Sequence, residues 1–285
     1  MAAIRSLRSN RQRRLAPAGA TGIIGAMPPL IEFRRVSVMR GDILALQEIT
    51  LSIAVGEHVA VLGPNGSGKS SFIRTITREC YPLRNEGSSL TIMGRDRWNV
   101  FDLRRQLGIV TPALLARAPR GATGLEAVLS GFFSSDGLWA GHQPLSATME
   151  AQAGAVLARL QASHLAGRPI EELSSGELRR IQVARALVHE PLALLLDEPS
   201  THLDLFAQAE LRRMLRSLAA AGTGIVLVTH HLADIIPEID RIVLLDRGRI
   251  VGDGPKETML QPERLSALFG VRVDLVERSG FFHAW

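Results

Sequence analysis

Gly63-Pro64-Asn65-Gly66-Ser67-Gly68-Lys69-Ser70 is the stretch that decides the fold. It fits the pattern G-x-x-x-x-G-K-[ST], and it stands where that pattern has structural meaning, after the apolar run Val59-Ala60-Val61-Leu62 and before a helical stretch. Strand, glycine-rich loop and helix together make a device for holding phosphate. The glycines let the backbone curl until successive N–H groups point at phosphate oxygens, and the helix N-terminus adds positive potential there. Lys69 can then reach the β- and γ-phosphates of a nucleotide, and the Ser70 hydroxyl can ligate Mg2+. Of the 33 basic residues only Lys69 and Lys256 are lysines, so the place of Lys69 is informative.

Outward from the loop, short apolar runs alternate with helical patterns, as in an α/β sheet. Strands are predicted over residues 30–38, 49–53, 58–62, 90–93, 108–110, 193–196, 224–228, 241–245 and 249–251. Leu194-Leu195-Leu196 and Ile225-Val226-Leu227-Val228 are apolar throughout, as central parallel strands covered on both faces are. Between about residues 112 and 190 the strand pattern stops. Helices are predicted there over 149–165 and 174–189, the second carrying Leu178, Ile181, Ala184, Leu187 and Val188 on one stripe. This reads as a helical insertion in an α/β core. The run Ala193-Leu194-Leu195-Leu196-Asp197-Glu198 ends an apolar strand in two acids. Beside a phosphate loop, Asp197 would hold Mg2+ through water, leaving Glu198 free to polarise an attacking water.

Leu173-Ser174-Ser175-Gly176-Glu177 resembles the signature motif of ATP-binding cassette (ABC) ATPases, usually Leu-Ser-Gly-Gly-Gln, with Ser175 and Glu177 as variants. The phosphate loop, this signature, Asp197-Glu198, Ser200-Thr201-His202-Leu203-Asp204 and Val228-Thr229-His230 follow in the family's order. The resemblance covers about residues 30–270. It implies an α/β fold: a P-loop NTPase core, mostly parallel sheet flanked by helices, with an antiparallel β subdomain and a helical insertion over about 112–190, all within one ATPase domain of residues 30–285.

The resemblance also implies roles, residue by residue. ATP and Mg2+ would be bound by Gly63, Pro64, Asn65, Gly66, Ser67, Gly68, Lys69, Ser70 and Asp197, with Ser71 at the α-phosphate. Glu198 resembles the general base, and His230 the switch histidine that contacts the γ-phosphate. Asp204 resembles the aspartate that communicates across the dimer interface. Ser174, Ser175 and Gly176 fall in the motif that contacts the γ-phosphate of ATP bound to the other subunit. One copy of each motif per chain implies a dimer of cassettes, here a homodimer.

Two positions depart from the family pattern. Arg40, in Val38-Met39-Arg40-Gly41-Asp42, stands where an aromatic ring usually stacks on adenine. A guanidinium plane can also stack on a base. Thr111-Pro112 stands where a glutamine usually touches Mg2+ and the attacking water; Gln106 lies upstream, on the wrong side of the strand. The stretch 124–133, then Gly137-Leu138-Trp139, resembles the region where importer cassettes of the iron-chelate and vitamin B12 type meet membrane subunits. Phe132, Phe133 and Trp139 are either an exposed docking patch or packing within the insertion. Residues 265–271 are also similar to that group.

Two assignments stay open at this point. In one, the chain energises a membrane transporter, an importer by preference. Its partners are then separate transmembrane permease subunits and, further out, a substrate-binding protein, and it sits in the cytoplasm at the inner face of the membrane. In the other, it is a soluble ABC-type ATPase of repair, translation or regulation.

Composition narrows the rest. The chain has 285 residues, 46% hydrophobic and 21% charged, an ordinary globular balance. No apolar run approaches the roughly 18 residues that span a bilayer. Cys80 is the only cysteine, which excludes an intrachain disulfide and a cysteine-rich zinc site. The net charge of +5 is matched by Arg5, Arg8, Arg11, Arg13 and Arg14, so the remainder sums to zero and offers no support for a nucleic-acid partner. Residues 1–29, Arg-rich and then Ala/Gly-rich, read as a disordered extension.

Overall fold

The computed structural model describes residues 27–116, 118–135 and 144–285. The predicted Arg-rich extension, apart from Met27–Pro29, and Trp139 lie outside these residues.

Strands β1 (Ile31–Arg40), β2 (Ile43–Ile53) and β4 (Ser89–Ile92) form an antiparallel sheet in the order β2-β1-β4. The larger sheet contains β3 (His58–Leu62), β5 (Leu107–Val110), β6 (Ala193–Asp197), β7 (Gly224–Thr229), β8 (Arg241–Asp246) and β9 (Arg249–Pro255). Its order is β5-β6-β7-β3-β8-β9, parallel as far as β8 and antiparallel only at the edge strand β9. Strands β10 (Leu275–Arg278) and β11 (Phe281–Ala284) form a separate hairpin.

The apolar runs without alternation are explained by what covers them. Successive strand residues point to opposite faces. Val59, Val61, Leu195, Val226, Val228, Val243 and Leu245 share a core with the antiparallel sheet and with helix α1 (Lys69–Ile76). Ala60, Leu62, Leu194, Leu196, Ile225, Leu227, Ile242 and Leu244 belong to the core on the other face. There they meet α3 (Gly124–Leu129), α4 (Ala147–Arg159), α5 (Ser175–Leu187) and α6 (Leu205–Ala220). Helix α2 (Val100–Gln106) leads into β5, and α7 (Lys256–Met259) and α8 (Pro262–Phe269) follow β9.

Among the described residues between 112 and 190 there are helices and short 3-10 turns and no strand, and their apolar side chains join the core of the parallel sheet. The helix predicted over 149–165 is shorter. It stops at Arg159, because Gln161 takes φ +55° and the Ala162 N–H closes back on Leu157 O at 2.8 Å. That six-to-one bond is the Schellman way of ending a helix. The following Ser163–Leu165 is a separate 3-10 turn that buries Leu165.

The Phe33 and Phe72 rings stack with centroids 5.0 Å apart, which fixes α1 beneath the antiparallel sheet. Both rings are fully buried. Removing either would cost about 3–5 kcal/mol. Since α1 begins at Lys69, this packing sets where the glycine-rich loop delivers the lysine.

Candidate active site

The loop after β3 is shaped by contacts that leave no room for side chains. A Cβ on Gly63 would collide with the Leu245 carbonyl, and one on Gly68 would lie 2.7 Å from Ala45 O. Gly66 and Gly68 have φ of +81° and +108°, in the region glycine enters at little cost. The β8–β9 turn braces the loop from outside: Gly248 N–H donates to Ser67 O at 2.8 Å, and Gln47 N–H donates to Gly248 O at 2.8 Å. Lys69 is buried and donates from Nζ to Gly63 O and Pro64 O, both at 2.9 Å. The lysine is therefore folded across its own loop, over the space an anion would fill. Ser70 is exposed beside it, and Ser71 is buried. Ser67 Oγ is buried without a hydrogen-bond partner.

β6 lies beside β7, and β7 beside β3, so Asp197 and Glu198 arrive next to this loop from across the sheet. Asp197 is buried and its Oδ1 has no partner. Burial first, and then the neighbouring Glu198 charge, push its carboxyl up to about 6; Lys69 opposes the shift. A buried carboxylate oxygen without a donor fits a residue that would help to hold a cation. Among the described residues no three His, Cys, Asp or Glu side chains converge on a metal position.

Glu198 has two close partners. Its Oε1 lies 3.4 Å from Lys69 Nζ and 3.1 Å from His230 Nδ1. It holds φ +44° and donates its own N–H to Val228 O at 2.8 Å. A non-glycine residue held in that region stores about 1–3 kcal/mol of strain, a cost met most often at functional sites. His230 follows β7, and its ring lies 3.8 Å from that of His231.

The signature residues lie in a second hollow. Ser174, Ser175, Gly176 and Asp204 line it with Phe206. Ser174 caps α5 in a reciprocal box: its Oγ accepts from Glu177 N at 3.3 Å, and Glu177 Oε2 accepts from Ser174 N at 2.8 Å. Hydrogen bonds from the Ser174 N–H and hydroxyl, more than the Arg168 pair, hold Glu177 below the usual carboxylate range. Glu and Gln complete such a box equally, which explains the Glu177 variant. A Cβ on Gly176 would lie 2.7 Å from Ala207 Cβ, so α5 and α6 approach closely there. Asp204 caps α6 through Oδ1, accepting from Ala207 N at 2.7 Å. Leu205 and Phe206 follow it, 83% and 75% exposed.

Arg40 is exposed at the end of β1 and lines the hollow of the phosphate loop. Ile43 and Leu44 line it too, exposed at the start of β2. Sequence reading passed over both, as it did the Arg247-Gly248 turn; their signal was only an apolar pair beyond a Gly41-Asp42 turn. Thr111 lies in a different hollow, with Arg104 and His189. Phe132 packs edge-on to His189 at 5.2 Å and against the main core, so it belongs to the insertion's packing.

A phosphate-cradling loop, an unpartnered buried carboxylate and a strained glutamate against a histidine define a nucleotide-hydrolysing P-loop site. Comparison with known proteins agrees. The sequence matches the family model for the ABC transporter over residues 46–201. It is 32% identical to the hemin import ATP-binding protein HmuV of Hahella chejuensis, covering 83% of this chain and 91% of that one. Identity to the zinc import ATP-binding protein ZnuC of Alkalilimnicola ehrlichii is 32%, over 94% and 93%. To the cobalt import ATP-binding protein CbiO of Rhodobacter capsulatus it is 34%, over 83% and 82%. Among solved structures, cbiO1 of Clostridium perfringens, part of the ABC transporter complex cbiONQ, superposes with a TM-score of 0.69 at 23% identity, covering 84% of this chain and 94% of that one. A dimeric bacterial ABC transporter cassette gives 0.65 at 25%, over 79% and 98%. The chain belongs to the ABC transporter family, as an ATP-binding and ATP-hydrolysing subunit. No helix among the described residues is long and apolar enough to cross a membrane.

Proposed function

We propose that the chain energises an importer by binding and hydrolysing MgATP, as one of a pair of identical cassettes docked on separate permease subunits at the cytoplasmic face of a membrane. The observation that carries this reading is the meeting of Lys69, Asp197, Glu198 and His230 at one glycine-rich loop, while Ser174 and Gly176 stand apart in another hollow. A site divided in this way is completed by a second copy placed head to tail. The relatives named for hemin, zinc and cobalt import support a metal ion or metal chelate as the cargo class, and do not favour a soluble repair or translation role.

In this reading Lys69 leaves its loop carbonyls for the β- and γ-phosphates, and the backbone of residues 63 to 68 wraps them. Ser70 and Asp197 are the residues that would hold Mg2+, whose charge offsets that developing on the phosphates. Glu198, released from Lys69, takes a proton from the attacking water, with His230 orienting its carboxylate and reaching the γ-phosphate. Ser71 meets the α-phosphate. Arg40 lies along the base, with Ile43 and Leu44 as apolar cover. Ser174, Ser175, Gly176 and Asp204 meet the nucleotide and interface of the second copy.

The test is a detergent pull-down of tagged Glu198→Gln protein from its own cells with MgATP. The expected result is a stoichiometric multi-span membrane protein. Recovery of soluble partners alone would overturn the importer assignment.

A further inference from the structure

Among the described residues the mechanism leaves one buried carboxylate unused. Asp234 is only 4% exposed, in the 3-10 turn Leu232–Asp234 that follows the switch histidine. Its Oδ2 accepts two hydroxyl hydrogen bonds: from Ser200 Oγ at 2.6 Å and from Thr229 Oγ1 at 2.8 Å. Thr229 Oγ1 in turn accepts from the backbone N–H of His231 at 2.9 Å. Ser200 and Thr229 are both buried. The two hydroxyls belong to different working segments. Ser200 opens the loop that runs from Glu198 to Asp204, and Thr229 is the last residue of β7, directly before His230.

The charge of Asp234 also acts on a third segment. Arg179, one turn into the signature helix α5, is buried with Nε and Nη1 unpartnered. Burial pulls its guanidinium below the ordinary value, and the charges of Asp197 and Asp234 push it back.

We infer that Asp234 is a positioning residue that locks the His230 segment to the Asp204 loop, so that occupancy of one chain's own phosphate loop is felt by the residues that chain presents to its partner. The inference rests on the proposed division of the site between two copies. The physical argument is that a single oxygen shared by two hydroxyls ties their backbones together. One segment cannot shift by an ångström without breaking a buried hydrogen bond of the other. The node's side-chain hydrogen bonds reach neither the phosphate loop nor Glu198; the link to the loop is the backbone bond from Gly63 N–H to Thr229 O at 3.4 Å, which side-chain substitutions at the node leave in place. The node therefore sets the relative placement of segments and leaves nucleotide capture to Lys69.

The test is steady-state ATP hydrolysis by the full chain, with MgATP affinity measured separately by equilibrium binding. Asp234→Ala, which leaves both hydroxyls without an acceptor, is expected to lower kcat about tenfold while KM and MgATP affinity stay within about twofold. Asp234→Asn keeps a carbonyl oxygen for the two hydroxyls and is expected to lose less. Ser200→Ala and Thr229→Val each remove one hydroxyl with little change of shape. Each is expected to lower kcat by about threefold or more, and the double variant by no more than the larger single effect. These two carry the test if Asp234→Ala fails to fold. Rates within twofold of the parent for Ser200→Ala and Thr229→Val would overturn the inference, and so would losses that follow affinity. A parent chain without ATPase activity would instead sink the proposed function itself, and the two failures are thereby distinguished.

Discussion

The imidazole Nδ1 of His230 stands 3.1 Å from Oε1 of Glu198, the oxygen that Lys69 Nζ approaches to 3.4 Å from the other side. The glutamate is thus held between the lysine of the glycine-rich loop and the histidine that follows β7. A ligand that draws Lys69 away leaves the carboxylate with the histidine alone. Under the proposed function, capture of phosphate and readiness of the base are joined through one oxygen atom.

Glu198→Gln separates the two. Glutamine keeps the shape and can still meet His230, but it cannot take a proton. Loss of its charge also removes the competitor for Lys69, so phosphate capture does not suffer. Phosphate release should fall by about 10²-fold or more, the usual contribution of a general base, while nucleotide affinity holds or rises. Parallel assays of phosphate release and equilibrium binding check this; an unchanged rate would remove Glu198 from the role of base.

Asp197 gives a pH signature. Its carboxyl, at 3.8 in the ordinary case, is raised to about 6 by burial and by Glu198. In the cation-free protein the native state then holds its proton more tightly than the unfolded chain does. The stability this contributes is complete below about pH 4 and is lost as pH rises through about 6. The loss above pH 6 amounts to about 3 kcal/mol at most. Asp197→Asn should therefore raise the Tm of cation-free protein at pH 7.5 and flatten its change between pH 4 and 6. Thermal melts across that range in a chelating buffer would show it, and a lower Tm for Asp197→Asn at pH 7.5 would refute it.

Much of this site was legible before the structure, and the reason is local. The phosphate loop, the capping serine of the signature and the acids at the end of β6 each follow from a few adjacent residues whose types are dictated by backbone shape. Glu198 against His230 is another matter. Those residues are 32 apart in sequence, and they meet because β6 pairs with β7 in parallel. Ser200 and Asp234 are 34 apart, and nothing in either neighbourhood advertises a shared hydrogen bond. The first half of β2 was missed because Ile43 and Leu44 lie exposed beside the loop, so the alternation that marks a half-buried strand breaks down there. The hairpin β10–β11 was missed because three of the four residues of β10 are exposed and carry little apolar signal.

The capping box at the head of α5 predicts an asymmetry between two substitutions. Ser174→Ala removes the acceptor for Glu177 N–H and the donor to its carboxylate. It should cost about 1 kcal/mol of stability, the ordinary worth of an N-cap. Glu177→Gln retains the box and loses only the half-exposed pair with Arg168 at 2.8 Å. Its cost should stay below about 0.5 kcal/mol, since such pairs contribute little. Urea denaturation of the two variants gives the comparison, and equal losses would contradict the structure.

The C-terminal hairpin ties the end of the chain to the switch segment. Strand β11 packs against Leu232–Asp234, and Gly280 at φ +80° lets the turn lie against Pro237. Phe281 sits near the guanidinium groups of Arg212 and Arg216, each 5.9 Å from its ring, and Arg216 pairs with Glu238 at 2.8 Å. Phe282 is buried in the main core, which also holds Leu232, Ile235 and Ile236. Truncating that ring leaves a cavity under the turn that carries Asp234. Phe282→Ala should cost about 3–5 kcal/mol, read as a fall in the urea midpoint with an unchanged slope. Phe281→Ala, half-exposed and held by cations, should cost clearly less. If the two variants unfold at the same midpoint, the hairpin is not anchored through Phe282.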